Sequence, residues 1–539
     1  MKNGFRQSMA WVHTWGGLSV GWILFFVFLT GTAGYFDTEI DRWMKPELPV
    51  DQASVTEAVL IAQKRLEEKA STADRWLINP PINRDTPNLR IFWQNPPTEK
   101  GGRGKNENEI LNSTTGEQVT ARSTGGGQTL YRMHYALHYL PNDIAYWIVG
   151  FCSMFMFVAI ITGIIIHKKI FKDFFTFRPR KGQRSWLDMH NVLSVTSLPF
   201  HIMITYSGLL FFAFTYMPLI VSSSYGTGEE NQRAFFDELF EEEKKIERTN
   251  SPASLASLTA LVAIAEERWG KQQVRYLEVT NPGDETARVT LGREFSSPLR
   301  NTSELIFNGV TGELIREKNP ATSMPLTIRD TFLGLHEGLF ADTVLRWLYF
   351  LSGLLGTAMI ATGMILWTVK RRPQQLKQAT GPDFGHRLVE SLNLGTIVGL
   401  PIAIAAYFWA NRLLPIDFAA RKDWEINSLF IVWLIALVYP LVRPIMRAWT
   451  EQLWFAATAF CLLPVLNAFT TDRHLLKSIA NNDWVFAGFD LTMLAAGILF
   501  GYAAIKLQKP KPVAQREPKH KTAQQASANP PLLSGEVAQ

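Results

Sequence analysis

Most of the ten histidines in this 539-residue chain stand in or next to long apolar runs. Imidazole offers a neutral nitrogen ligand near neutral pH, and an ionisable side chain inside a membrane is expensive enough to be functional by default. His13 opens the run WVHTWGGLSVGWILFFVFLTG, and Gly31 of its Thr30-Gly31 pair follows 18 residues on. His190 precedes Ser207-Gly208 with the same offset to its glycine. His138, in LHYLPNDIAYW, precedes Trp147 and Thr162-Gly163; His336, in LHEGLFADTVLRW, precedes Trp347 and Thr362-Gly363. Allowing two inserted residues, these two stretches match. The unit is helix, polar segment, helix, and it occurs twice.

Two units of the same topology are related by an axis along the membrane normal. Equivalent histidines then share a depth. His13 is expected to face His190 at one end of the bundle, and His138 to face His336 at the other. A b-type haem needs two axial imidazoles on opposite faces of its ring, and facing helices supply them. The expectation is therefore two bis-histidine haems b, with His13, His190, His138 and His336 as the ligands to iron. Gly16, Gly17 and Gly21 would clear space for a macrocycle, and Trp11 and Trp15 would anchor the interface. The chain has two cysteines, Cys152 and Cys461, both inside apolar runs. That excludes a disulfide framework, a CxxC zinc site and covalent CxxCH haem attachment.

Two further histidines complicate the pairing. His201 follows His190 by 11 residues, about 16 Å along a continuous helix and about 20° round it, so both would face one side. It could ligate the outer haem in place of His138 or His336. His134 lies one turn before His138 and could substitute for it. The Thr/Ser-Gly pairs are read as packing positions, like Gly17 with Gly21 and Gly353 with Gly356. Arg132 and Arg346 could pair with haem propionates or an anionic substrate. His386 and Glu390 begin the fifth apolar run, where a cap or a donor site is open to them.

The elements that must hold these residues follow from composition. The chain is 47% hydrophobic, with 35 Phe and 17 Trp. Apolar runs of spanning length give about eight helices. The expected layout is a first helix over 1–36, an outer module over 37–140, helices over 141–168 and 186–220 joined by a basic loop at 169–185, a second outer module over 221–340, a fourth helix over 341–369, four more helices over 386–506, and a disordered tail over 507–539. The start MKNGFRQ resembles a signal peptide, but LTGTAGYFD is a poor cleavage site, so the run reads as an uncleaved helix. The net charge is +6, and the basic residues concentrate in short loops and the tail rather than in a nucleic-acid patch. The loop from His167 to Ser185 carries seven Lys or Arg and one Asp. By the positive-inside rule that side, with both termini, is cytoplasmic.

The two outer segments read alike. Each opens with a helix, SVTEAVLIAQKRLEEK or SLTALVAIAEERWG, then short strands such as NLRIFWQ and ARVTLG. Each has an Asn-x-x-Thr-Gly-Glu turn, in ILNSTTGEQV and LIFNGVTGELI. The fold class is an α-helical integral membrane protein with a duplicated helix–module–helix core and two α+β modules.

The His-x-x-x-Gly-Leu-like start of the first helix, the Leu-His before the second and fourth, and the two turn-bearing modules resemble the PepSY-associated transmembrane family. The resemblance covers about 1–372. It implies periplasmic PepSY-like modules, b-type haems and, as in the bacterial inner-membrane ferrisiderophore reductases of that family, a ferric siderophore as acceptor. It points to His13, His138, His190, His201 and His336 as haem-site candidates without settling their pairing. The four extra C-terminal helices depart from the short family pattern.

The function so implied is an oxidoreductase: a di-haem electron conduit in the bacterial inner membrane that reduces a periplasmic acceptor for iron release. No dinucleotide fingerprint is present, so the donor is a separate cytoplasmic protein, reduced flavin or membrane quinol. A transporter and a non-catalytic regulator that binds a peptide or peptidase are the alternatives. A transporter calls for broken helices or a polar midplane site, and a regulator leaves the paired histidines unexplained.

Overall fold

The computed structural model of the chain describes residues 4–49, 53–97, 104–167, 176–240, 246–320, 323–379 and 381–508. Residues 168–175 of the basic loop and the tail from 509, expected to be disordered, lie outside the described residues. The described helices in chain order are α1 (Phe5–Gly34), α2 (Asp37–Met44), α3 (Val55–Lys69), α4 (Gly126–Ala136), α5 (Asn142–Ile166), α6 (Gln183–Thr196), α7 (Leu198–Phe211), α8 (Ala213–Tyr216), α9 (Pro218–Tyr225), α10 (Glu229–Phe240), α11 (Leu258–Trp269), α12 (Met324–Glu337), α13 (Thr343–Gln375), α14 (Phe384–Ile397), α15 (Gly399–Leu413), α16 (Arg421–Val442), α17 (Ile445–Thr470), α18 (Leu475–Ala480) and α19 (Trp484–Gln508).

Among them α1, α5, α13, the joined pair α14–α15, α16, α17 and α19 are each long and apolar enough to cross a membrane. The expected third span is different. It is not one straight helix over 186–220: α6 and α7 meet at Ser197 with a bend of 69°. Pro199 explains the break. It has no N–H to donate, and its ring clashes with the carbonyl four residues earlier. Counting the bent pair as one span gives eight.

The four core spans pack as the repeat requires. α1 lies against α5 and α13, α6 against α13, and α7 against α5 and α12. Gly353 and Gly356 let α13 approach α1: a Cβ at Gly353 would lie 2.4 Å from the Thr32 hydroxyl, and one at Gly356 would lie 2.7 Å from Phe28. The C-terminal helices dock through α14 on α1 and α13 and through α19 on α2.

The outer strands are β1 (Arg75–Asn79), β2 (Leu89–Gln94), β3 (Asn106–Leu111), β4 (Val274–Thr280), β5 (Arg288–Arg293), β6 (Glu304–Asn308) and β7 (Leu314–Lys318). They form one antiparallel seven-stranded sheet in the order β3-β2-β1-β4-β5-β6-β7. The two modules are thus fused edge to edge, with Trp76 opposite Val279 and Leu77 opposite Glu278. β1 and β4 are equivalent strands of the repeat, so their pairing is what a two-fold axis between the modules produces. Alternating side chains bury Trp76, Ile78, Leu277 and Val279 under α3 and α11. The Asn turns repeat in detail. The side-chain oxygen of Asn112 accepts from the amides of Thr114 and Thr115, and that of Asn308 from the amides of Val310 and Thr311. Gly116 and Gly312 follow at φ 76° and 75°, in the left-handed region that suits glycine.

Candidate functional site

Two pairs of histidines meet, one at each end of the four-helix core. At the end away from the sheet, His13 of α1 and His190 of α6 have ring centroids 6.2 Å apart. At the sheet end, His134 of α4 and His336 of α12 have centroids 6.0 Å apart. The layers are far apart: His13 and Val27, which contacts His134, are 14 residues apart on α1, about 21 Å of helix rise.

All four imidazoles are held through Nδ1. Nδ1 of His13 lies 2.9 Å from the Ala159 carbonyl and 3.3 Å from the Thr162 hydroxyl. Nδ1 of His190 lies 3.0 Å from the Met359 carbonyl and 3.3 Å from the Thr362 hydroxyl. Nδ1 of His134 lies 2.7 Å from the Val27 carbonyl, three residues before Thr30. Nδ1 of His336 lies 2.9 Å from the Ser207 hydroxyl, which itself donates to the Met203 carbonyl at 2.6 Å. A carbonyl can only accept, and the Ser207 hydroxyl already donates to Met203, so each neutral ring carries its proton on Nδ1 and keeps the Nε2 lone pair free.

The glycine after each hydroxyl completes the seat. A Cβ at Gly163 would lie 3.3 Å from the ring of His13, at Gly363 3.2 Å from His190, at Gly208 3.1 Å from His336, and at Gly31 2.4 Å from Nδ1 of His134. The Thr/Ser-Gly pairs are therefore more than packing positions. Each seats one histidine, and that histidine comes from another helix. Sequence reasoning saw the four pairs and missed this role.

His138 does not reach the outer pair, contrary to the sequence expectation. Helix α4 ends at Ala136, and Leu137 and His138 both take positive φ, 48° and 44°. This turn swings His138 out to an exposed position, where its ring stacks on Phe430 at 5.7 Å. The same-face argument from His134 to His138 fails because the helix does not continue. His201 is buried between the layers and pairs with neither. Its Nε2 lies 3.1 Å from the Ser197 hydroxyl, and its ring meets Phe28 edge-on. The bend at Ser197 breaks the helical relation between His190 and His201.

The ring separation within each pair is that of two imidazoles sharing one iron. An imidazole nitrogen binds a metal at about 2.0 Å and its ring centre lies about 1 Å behind it, so two rings on opposite sides of one iron have centres about 6 Å apart. Nδ1–H bonded to a carbonyl is the outer-shell arrangement that orients a ligating histidine. A cavity of 1240 Å³ adjoins the inner pair, lined by His13, His190, Gly17 and Gly21, with Arg6 and Arg371 among the basic residues beside it. Gly16 instead lies against Phe155. Trp11 and Trp15 are exposed. Among the described residues no three His, Cys, Asp or Glu side chains gather to hold a bare metal ion; a haem iron asks the protein for two.

Around the outer pair the charges are arranged. Burial pushes the His336 imidazole down to about 3, with His134 adding to the effect. Burial likewise lowers His134, against the pull of the Val27 carbonyl. Both rings are neutral at neutral pH. Arg346 is paired with Glu39 at 2.8 Å, and Glu39 also pairs with Arg84. Burial alone would lift the Glu39 carboxyl, but the two arginines hold it below its usual range. Burial raises Asp37 to about 7. A second cavity, of 450 Å³, lies on the open face of the sheet, with Arg75 and Glu278 from the β1/β4 seam, Arg275, Tyr276, Phe295 and Leu339 in its walls. Leu339 follows α12, so this cavity adjoins the end of the helix that carries His336.

The start of α4 is tied to the C-terminal helices. The buried Glu425 carboxylate accepts from the Gly125 amide at 3.2 Å, the Asn411 amide group at 2.9 Å, the Thr124 hydroxyl and the Arg421 guanidinium. Tyr407 donates to the Gly126 carbonyl at 2.9 Å, and Asp41 accepts from the Gly127 amide at 2.8 Å. His134 stands two turns further along this helix.

The spans, the repeat and the outer sheet define a multi-pass α-helical membrane protein, for which the bilayer is the solvent. Residues 10–370 match the PepSY-associated TM region, PepSY_TM, and the chain belongs to that family. No curated protein matches the chain. The family match ends within α13, so α14–α19 lie beyond it.

Proposed function

We propose that the chain is a transmembrane electron-transfer protein that holds two bis-histidine haems b, one between His13 and His190 and one between His134 and His336, and reduces an acceptor on the sheet side. The observation that carries this reading is the fourfold seat: Nδ1 anchored on a carbonyl or, for His336, on the Ser207 hydroxyl, Nε2 free, and ring centroids 6.2 and 6.0 Å apart within each pair. When bound, each haem accepts and releases one electron at a time. The four histidines would hold the iron, and the seats fix their tautomer and rotation. The basic side chains beside the inner cavity would pair with propionates, and its apolar walls would exclude water.

The basic loop and the KRR at 370–372 support a cytoplasmic inner end in a bacterial inner membrane, with the sheet in the periplasm. Outward electron movement is then favoured by the membrane potential, by roughly 2.3 kcal/mol per 100 mV. The acceptor best matched to the family resemblance is ferric iron in a siderophore. Reduction to the ferrous state weakens its hold on hard oxygen ligands. The cavity with Arg75 and Arg275, near the end of the His336 helix, is the place for it.

The broken span at Ser197 is the one observation that favours a transporter, and that reading leaves four seated histidines unused. The test is a reduced-minus-oxidised visible spectrum of the purified protein with haem counted per chain. Two low-spin b haems, with one lost in His13→Ala or His190→Ala protein that still reaches the membrane, are the expected result. Protein without haem, made under ample haem supply, would end this reading and turn attention to the transporter.

A further inference from the structure

The start of α14, beyond the family match, carries polar groups that packing leaves without partners. His386 is 2% exposed, and neither of its ring nitrogens hydrogen-bonds to a described residue. The indole Nε1–H of Trp367 is buried and unpartnered in the same sense. The two rings stack, with centroids 6.1 Å and planes 23° apart. One turn along α14, a Glu390 carboxylate oxygen lies 3.4 Å from His386 Nε2, and Arg372 lies 3.8 Å from that oxygen. A buried polar group left without a partner is costly. Two in contact call for an explanation.

Their position suggests one. Trp367 lies four residues, about 6 Å of helix rise, beyond Gly363, which seats His190. It lines the same cavity as His13 and His190. Trp15 meets it edge-on at 5.9 Å, and Arg371 covers its ring at 4.0 Å. A reductant for the inner pair would bind close to this point.

We propose that Trp367, His386 and Glu390 form a headgroup site for a membrane hydroquinone, the electron donor of the chain. The inference rests on the haem reading above. A quinone head is flat, neutral and apolar on its faces, and it carries an oxygen at each end. One oxygen accepts from the Trp367 indole N–H. As a hydroxyl it also donates to a free imidazole nitrogen, so a single ligand meets both orphaned groups. Oxidising one hydroquinone breaks two O–H bonds and yields two protons and two electrons. The proton of the hydroxyl at His386 passes through the imidazole to the Glu390 carboxylate, and the proton of the hydroxyl at the far end of the ring leaves to water. The electrons leave singly to ferric haem iron between His13 and His190, so two ferric irons are reduced per hydroquinone.

The experiment has two arms on the full chain in detergent. Equilibrium dialysis with a short-chain benzoquinone should find one site per chain, weakened about tenfold in His386→Gln and in Trp367→Phe, the loss of roughly one hydrogen bond. Rapid mixing with the matching hydroquinone should reduce haem in the wild type and be slowed about a hundredfold in Glu390→Gln, the scale of a lost proton acceptor. Reduction by dithionite should be unchanged in all variants. A chain without haem fails the reading above and leaves the binding arm readable. A haem-loaded chain that binds no quinone, binds it equally in every variant, or is reduced by reduced flavin mononucleotide and not by hydroquinone overturns the site.

Discussion

Gly31 lies directly against the imidazole of His134: a Cβ there would stand 2.4 Å from Nδ1. The other three seats are less tight, at 3.1 to 3.3 Å. Gly31→Ala must therefore move the His134 ring off the Val27 carbonyl, whereas Gly163→Ala and Gly363→Ala ask for a few tenths of an ångström. Overpacking of this kind costs about 1–3 kcal/mol. The expected result is loss or a high-spin shift of one haem in Gly31→Ala and retention of both in the other two, read from the visible spectrum. Equal behaviour of all three variants would mean the seats do not control ligation.

His134 and His138 give opposite expectations. His134→Ala should leave one haem per chain. His138→Ala should leave two, since its ring stacks on Phe430 outside the pair. Haem counted per chain in each variant checks this, and a half-loaded His138→Ala protein would restore the outer pairing expected from sequence.

That pairing was not legible in the sequence for a definite reason. Measured back from Trp147 and Trp347, the position equivalent to His336 is Ala136, with His134 and His138 two residues to either side. Spacing alone could not choose between them. The choice is made by the left-handed turn at Leu137, a residue type that rarely adopts it. The spans were legible because bilayer thickness imposes a long apolar run, and the Asn turns because a short polar side chain and a glycine have fixed roles in them. The break at Ser197 had a visible cause in Pro199, masked by the apolar run around it. The seats were half legible. The Thr/Ser-Gly pairs recur in the sequence, but each contacts a histidine of a different helix, and periodicity within one helix carries no such information. Fusion of the modules through β1 and β4 was likewise hidden, because an edge strand does not name its neighbour.

Asp37 gives a pH dependence. Burial holds its carboxyl near 7 in the folded protein, against about 3.9 in an unfolded chain. Between those values folding takes up a proton. The contribution to stability is full below about pH 4 and is lost as pH rises through about 7. The difference in melting temperature between wild type and Asp37→Asn in detergent should therefore change between pH 5 and pH 8, with the wild type falling relative to the variant. A constant difference would remove Asp37 from the pH response.

Glu425 joins the C-terminal helices to the outer histidine layer. Its carboxylate gathers Arg421, Asn411, Thr124 and the Gly125 amide in a buried cluster. Removing the acid leaves the Arg421 cation buried without its acidic partner, a loss of about 3–5 kcal/mol where a buried pair is broken. Glu425→Gln keeps the shape and some hydrogen bonds, so it should fold with a lowered melting temperature. Its more telling effect is local. The start of α4 loses its anchor, and His134 is two turns away on that helix, while His13 and His190 are at the other end of the bundle. The outer haem should then show a shifted midpoint potential or spectrum with the inner haem unchanged. If both haems shift together, or neither does while stability falls, the C-terminal helices brace the bundle as a whole and do not position His134.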